Sequence, residues 1–163
     1  MSRMPESVLH RVGGAALIVI SLPILLPLVL FVLTLYWVHQ IALHVLVWLL
    51  WLPRGKDVLF VYSNSPIWRE YMTTQVLPLL NDRAIVLNWS DRKQWSRWSF
   101  AAHIFRTVGR GTDFNPIVAV FRPFRRARVF RFWSAFKYWK HGDTEPVEQL
   151  RKDLLDVLQV AGR

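Results

Sequence analysis

The sequence predicts an α/β domain carried behind an N-terminal membrane segment. Two observations lead there. From Val12 to Pro53 the 163-residue chain has no Asp, Glu, Lys or Arg, and about 20 apolar residues suffice to cross a bilayer. After Pro53, short β-branched and aromatic runs alternate with stretches of helical periodicity, the pattern of strands and helices packed in layers.

Within the apolar segment, the best span lies at about 14–36, centred on Ala16–Tyr36, with Tyr36 and Trp37 as an interfacial aromatic pair. The run exceeds the roughly 7–15 apolar residues of a signal peptide, and no small-residue cleavage site follows it. Residues 37–53 form a second short span, an interfacial helix, or the continuation of one long helix. Pro23 and Pro27 each remove a backbone donor and predict kinks. His39 and His44 are spaced i,i+5 and do not share a helix face, so the expectation is a polar rim at the membrane surface. The organisation expected is a short basic N-terminus (1–12), a membrane segment (13–53) and a soluble domain (54–163). Arg3 and Arg11 precede the segment, while Arg54, Lys56 and Arg69 follow it. The positive-inside tendency therefore places the domain on the cytoplasmic face of the inner (cytoplasmic) membrane.

The domain reads element by element. Asp57–Ser63 (DVLFVYS) is a buried strand. Ser65-Pro66 opens a helix to about Leu80, serine as N-cap and proline at the first helical position. Arg83–Trp89 is a second strand. Ser90-Asp91 caps a second helix, about 92–107, with Trp95, Trp98, Ala102 and Phe105 at helical spacing. Gly109–Asn115 is a loop, and Pro116–Arg122 a third strand. Ala127–Trp133 pairs back on it as an antiparallel hairpin. A basic aromatic loop follows, and Thr144–Val160 forms an amphipathic helix. Two right-handed crossovers put the first three strands parallel.

This order, β-α-β-α-β-β-α, resembles the minimal thioredoxin core. Ser65-Pro66-Ile67-Trp68 stands where that family carries Cys-x-x-Cys, and Asn115-Pro116-Ile117-Val118 resembles its cis-proline and following strand. The stretch from Lys140 to the last helix resembles its closing turn and helix. The resemblance implies a thioredoxin-like domain over about Val58–Leu158. It also implies that Ser65, Pro66, Trp68, Asn115 and Pro116 form an edge able to hold an extended peptide. Oxidoreductase activity does not carry over, because Ser65 and Trp68 replace both cysteines.

The chain has no cysteine and a net charge of +10. Disulfides, thiol redox chemistry and Cys-ligated zinc are thereby excluded. Between Arg83 and Lys140, thirteen Lys/Arg face only Asp91 and Asp113, a surplus of 11 positive charges. That field favours an anionic partner. Its densest part runs from Phe121 to Gly142: Arg122, Arg125, Arg126, Arg128, Arg131, Lys137 and Lys140, interleaved with aromatics that include Trp139. Arginines among aromatics bind single-stranded nucleic acid or sit at a bilayer surface, where Trp and Tyr favour the headgroup layer. The membrane segment earlier in the same chain favours the second, with anionic lipids as ligand. Ser65, Asp91 and His103 can be assembled on paper as a catalytic set, but their spacing gives it no support. A histidine in AAHIF is expected to pack. Gly109-Arg110-Gly111 lacks the Lys and Ser/Thr of a P-loop.

No catalytic residue, cofactor site or metal site is assigned. The function expected is a membrane-anchored, redox-inactive interaction or assembly subunit, its ligands anionic lipid and a protein partner in a membrane complex. The alternatives are a membrane-surface enzyme acting on a lipid-linked or phosphorylated substrate, and nucleic-acid binding through the basic aromatic stretch.

Overall fold

The computed structural model describes residues 6–109 and 115–161. It divides into two compact units, Met1–Ala42 and Leu43–Arg163. The basic residue Arg3 and positions 110–114 of the glycine loop lie outside the described residues.

One helix, α1 (Glu6–Leu50), supplies the first unit and runs into the second. Pro23 and Pro27 lie inside it without ending it. Leu25–Arg54, 30 residues, is long and apolar enough to cross a membrane. Of the three expectations for residues 37–53, the continuing helix is what forms. It stops at Leu50, and a 3-10 turn, Leu52–Arg54, closes at Gly55. Gly55 has φ +68°, a left-handed conformation that a residue without Cβ adopts freely.

In the second unit a four-stranded sheet has the order β2-β1-β3-β4. The strands are β1 (Val58–Tyr62), β2 (Ala84–Asn88), β3 (Ile117–Val120) and β4 (Arg128–Arg131). β1 and β2 are parallel, Val58 opposite Ala84. β3 is antiparallel to β1, Val61 opposite Ile117, and β4 is antiparallel to β3. The expectation of three parallel strands is therefore corrected: one pair is parallel. A helix between two strands does not fix the direction of the second, and here the chain re-enters at the Tyr62 end of β1 and runs back.

Successive side chains of a strand point to opposite faces. Both faces of β1 and β3 are covered, which explains their unbroken apolar runs. On one face Val58, Phe60, Val118 and Val120 meet Met72, Val76, Leu80, Phe136 and Leu154. On the other, Leu59, Val61, Ile117 and Ala119 meet Ile104, Phe105 and Phe121, and also Leu43 and Val47 of α1 with Trp51 just past its end. These three recur at i, i+4 and i+8 and share one helix face. The compact unit begins at Leu43, and the end of α1 is one of its core elements.

The helices depart from expectation for local reasons. The first is only a turn of α-helix, α2 (Arg69–Tyr71), followed by a π-turn (Met72–Val76) and a 3-10 stretch (Leu77–Arg83). Pro78 cannot donate to the ladder. The expected 92–107 helix is split into a 3-10 turn (Trp89–Gln94) and α3 (Phe100–Val108). Ser99 starts α3 by accepting the Ala102 N–H at 3.3 Å. The basic aromatic loop is in fact largely a helix, α4 (Phe132–Trp139), which buries Phe132, Ala135 and Phe136. The last helix, α5 (Glu145–Ala161), follows Gly142 at φ +87°.

Two polar ties fix the layers. Arg83 makes a bidentate ion pair with Asp57 and donates to the Leu158 carbonyl at 3.3 Å, linking β1, β2 and α5. Tyr71 donates to Glu148 at 2.7 Å, and Glu148 also accepts from Arg151 at 2.9 Å. Burial, then the hydrogen bond to Glu148, pushes the Tyr71 hydroxyl above the ordinary phenol range. The Tyr71 hydroxyl, aided by Arg151, holds the Glu148 carboxyl below its ordinary value against some burial.

Candidate functional site

The turn after β1 is closed by its own side chains. Trp68 donates its indole N–H to Ser63 Oγ at 3.0 Å, and its ring lies 5.8 Å from that of Phe136. Ser65 does not cap α2. Its hydroxyl accepts the Ile67 N–H at 3.4 Å, and its carbonyl takes the Arg69 N–H at 3.0 Å. The helix starts three residues later than Pro66 because Trp68 holds its entry in a non-helical conformation.

Asn115 and Pro116 stand beside the end of β1, following from the pairing of Val61 with Ile117. The Asn115–Pro116 peptide is cis. Both residues are buried and Trp68 is half-buried, so of the five residues of the expected edge only Pro66 is well exposed.

Next to this turn, at the end of the parallel pair, lies an exposed polar cluster. The Asn64 N–H donates to Ser90 Oγ (2.9 Å), and the Asn88 amide donates to Asn64 Oδ1 (3.1 Å) and Asp91 Oδ2 (2.8 Å). The catalytic set drawn on paper is not assembled. Ser65 is engaged with Ile67 and Asp91 with Asn88, while His103 is an exposed residue of α3, on the opposite side of the sheet from α2. The expectation that His103 packs is corrected as well. Among the described residues there is no group of three metal-ligating side chains.

The basic aromatic stretch divides in two. Its inward half is structural: Phe130, Phe132 and Phe136 are buried, and Trp139 packs 5.2 Å from Tyr71. Arg122 donates to the Val157 carbonyl, and Arg131 to the Val108 carbonyl at 3.3 Å. Its outward half holds Arg125, Arg126, Arg128, Lys137 and Lys140, with Lys137 only 3.9 Å above the Trp133 ring. The β3–β4 turn carries Phe124, 90% exposed and at φ +58°. On the other sheet face, Trp89, Trp95 and Phe105 form a ring cluster with centroids 5.3–6.1 Å apart. Trp98, expected on the same helical stripe, is instead 91% exposed.

Sequence reasoning missed two features. The stripe Leu43, Val47, Trp51 was legible as i, i+4, i+8 but was absorbed into the membrane run. The second is the contrast between the sheet edges. β4 carries Arg128 and Arg131, charges that discourage pairing with another strand. β2 (Ala-Ile-Val-Leu-Asn) has neither charge nor proline, and Val86 at its centre is 44% exposed. Comparison with known protein families, curated proteins and solved structures finds no match for this chain. What stands is a mixed α/β domain with one four-stranded sheet, behind an apolar helix able to span a membrane.

Proposed function

We propose that this protein is a membrane-anchored, redox-inactive, thioredoxin-like subunit that binds a protein partner by adding a strand to its sheet at β2. The observation that carries the reading is the β2 edge, which no other strand pairs among the described residues. An unpaired, uncharged apolar strand is a template for another chain, and main-chain hydrogen bonds supply the affinity in such complexes. Natural domains blunt edges that are not used, as β4 does here.

The thioredoxin-like part of the reading rests on the element order, the single parallel pair with two antiparallel strands, and the proline beside the end of β1. The redox position is occupied by Ser65 and Trp68, which leaves the domain for binding. Anchoring rests on Leu25–Arg54, and the basic residues Arg54 at its end and Lys56 beyond it support a cytoplasmic-facing domain. The test is Val86→Lys in the full-length chain, extracted in mild detergent and sized by native mass spectrometry. A stoichiometric partner held by the wild type and by Val86→Thr, and lost from Val86→Lys, is the expected result. Retention of that partner by Val86→Lys removes β2 as its site.

A further inference from the structure

From a separate set of observations, we propose that the β3–β4 turn, Arg122–Ala127, is a lipid-docking tip that seats the domain on the headgroups of an anionic leaflet. The inference rests on α1 spanning the bilayer and is independent of the β2 edge.

The first observation is the conformation of Phe124. A bulky side chain at φ +58° is disfavoured, and glycine or asparagine would be the ordinary occupant. Here a phenylalanine holds that backbone while 90% exposed, between proline and two exposed arginines. An apolar ring flanked by Arg125 and Arg126 fits the boundary between acyl chains and phosphates.

The second observation is where the turn is held. The Phe124 ring lies 5.4 Å from that of Trp48, the Ala127 N–H donates to His44 Nε2 at 3.4 Å, and the Phe121 ring is 6.0 Å from His44. The turn is thus bound to residues 44–48 of α1. The side chains of Val45, Leu46, Leu49 and Leu50 are exposed there, an apolar face that lipid covers and water would not favour. A second exposed aromatic, Trp98 beside Arg97, lies two residues from Phe100, whose ring meets Trp51 at 5.5 Å.

The chain has no cysteine, so one introduced cysteine reports one site. Nitroxide labels are placed by Pro123→Cys, Thr34→Cys and Tyr138→Cys in the full-length protein, in nanodiscs of phosphatidylcholine with or without phosphatidylglycerol. Collision with a water-soluble nickel reagent is measured. Thr34 reads the hydrocarbon, Tyr138 the aqueous side, and Pro123 the tip. With phosphatidylglycerol the Pro123 label is expected to be shielded, approaching Thr34. Arg125→Glu with Arg126→Glu is expected to lower the docked-to-undocked ratio at least roughly 25-fold, about fivefold per arginine, and to expose the label. Phe124→Gly relieves the left-handed backbone, so it keeps the fold and is also expected to expose the label. If Thr34 is in water, the spanning reading fails. If Thr34 is in hydrocarbon while Pro123 is as wet as Tyr138, or if neither set of substitutions changes it, the lipid-docking tip is overturned.

Discussion

Trp51→Ala tests whether the end of α1 belongs to the domain core. Trp51 is 4% exposed, and its ring meets Phe100 at 5.5 Å and Phe121 at 5.8 Å, the latter perpendicular. Truncating a buried aromatic to alanine costs about 3–5 kcal/mol through lost transfer energy and the cavity left behind. Edge-to-face ring pairs contribute about 0.5–1.5 kcal/mol each within that figure. A whole domain has only about 5–15 kcal/mol to lose, so about 4 kcal/mol leaves it marginal. Hydrogen exchange of the β1 amides, Val58–Val61, reads the loss without interference from the membrane helix. Amides that exchange by global opening accelerate about tenfold per 1.4 kcal/mol, so nearly a thousandfold here. The control is Leu49→Ala, two residues earlier on the exposed face of the same helix at 65% exposure. It is expected to change β1 exchange by less than about 0.5 kcal/mol. Equal effects of the two substitutions would refute the packing of α1 into the sheet.

Three further outcomes follow from the polar ties. Asp57→Asn strands Arg83 beside a neutral amide and is expected to cost about 3 kcal/mol in denaturant unfolding, the low end for a buried pair because Arg83 is partly exposed. The Glu148 carboxyl is held below its unfolded value, so it stabilises the fold above the ordinary carboxylate range, and that contribution fades as pH falls through the folded value. Tyr71→Phe removes the main cause of the shift and is expected to cost about 1 kcal/mol at neutral pH while flattening the acid limb of the stability profile. Ser99→Ala is expected to cost about 1 kcal/mol through loss of the α3 cap, with Ser99→Asp restoring most of it.

The core strands were legible because each is a short, largely apolar run, and β1 and β3 are buried on both faces. Val58–Tyr62, Ala84–Asn88 and Ile117–Val120 all fall inside their expected ranges. The amphipathic stripe of α5 was equally plain. Strand direction was not legible, since β3 reverses through contacts distant in sequence. The α4 helix was missed because its aromatics, following a run of arginines, read as surface, although Phe132, Ala135, Phe136 and Trp139 recur at helical spacing. The stripe of Leu43, Val47 and Trp51 was hidden by its surroundings: in a run apolar on every side, no face stands out. At the candidate sites, composition named the arginines but not their roles. Arg122 and Arg131 bond backbone carbonyls, while Arg125 and Arg126 face outward. The β2 edge left no motif at all, because an unpaired edge is a property of sheet order.

The central claim is that β2 is a partner-binding edge, and backbone exchange at that strand tests it most directly. Amide exchange across Ala84–Asn88 is measured for the full-length chain in native membrane vesicles and again after purification in detergent. Strand addition predicts that outward-facing β2 amides are protected in the vesicles and lose that protection on purification, while β1 and β3 exchange equally in both. Equal exchange at β2 in the two states, with the purified edge already fast, would contradict it.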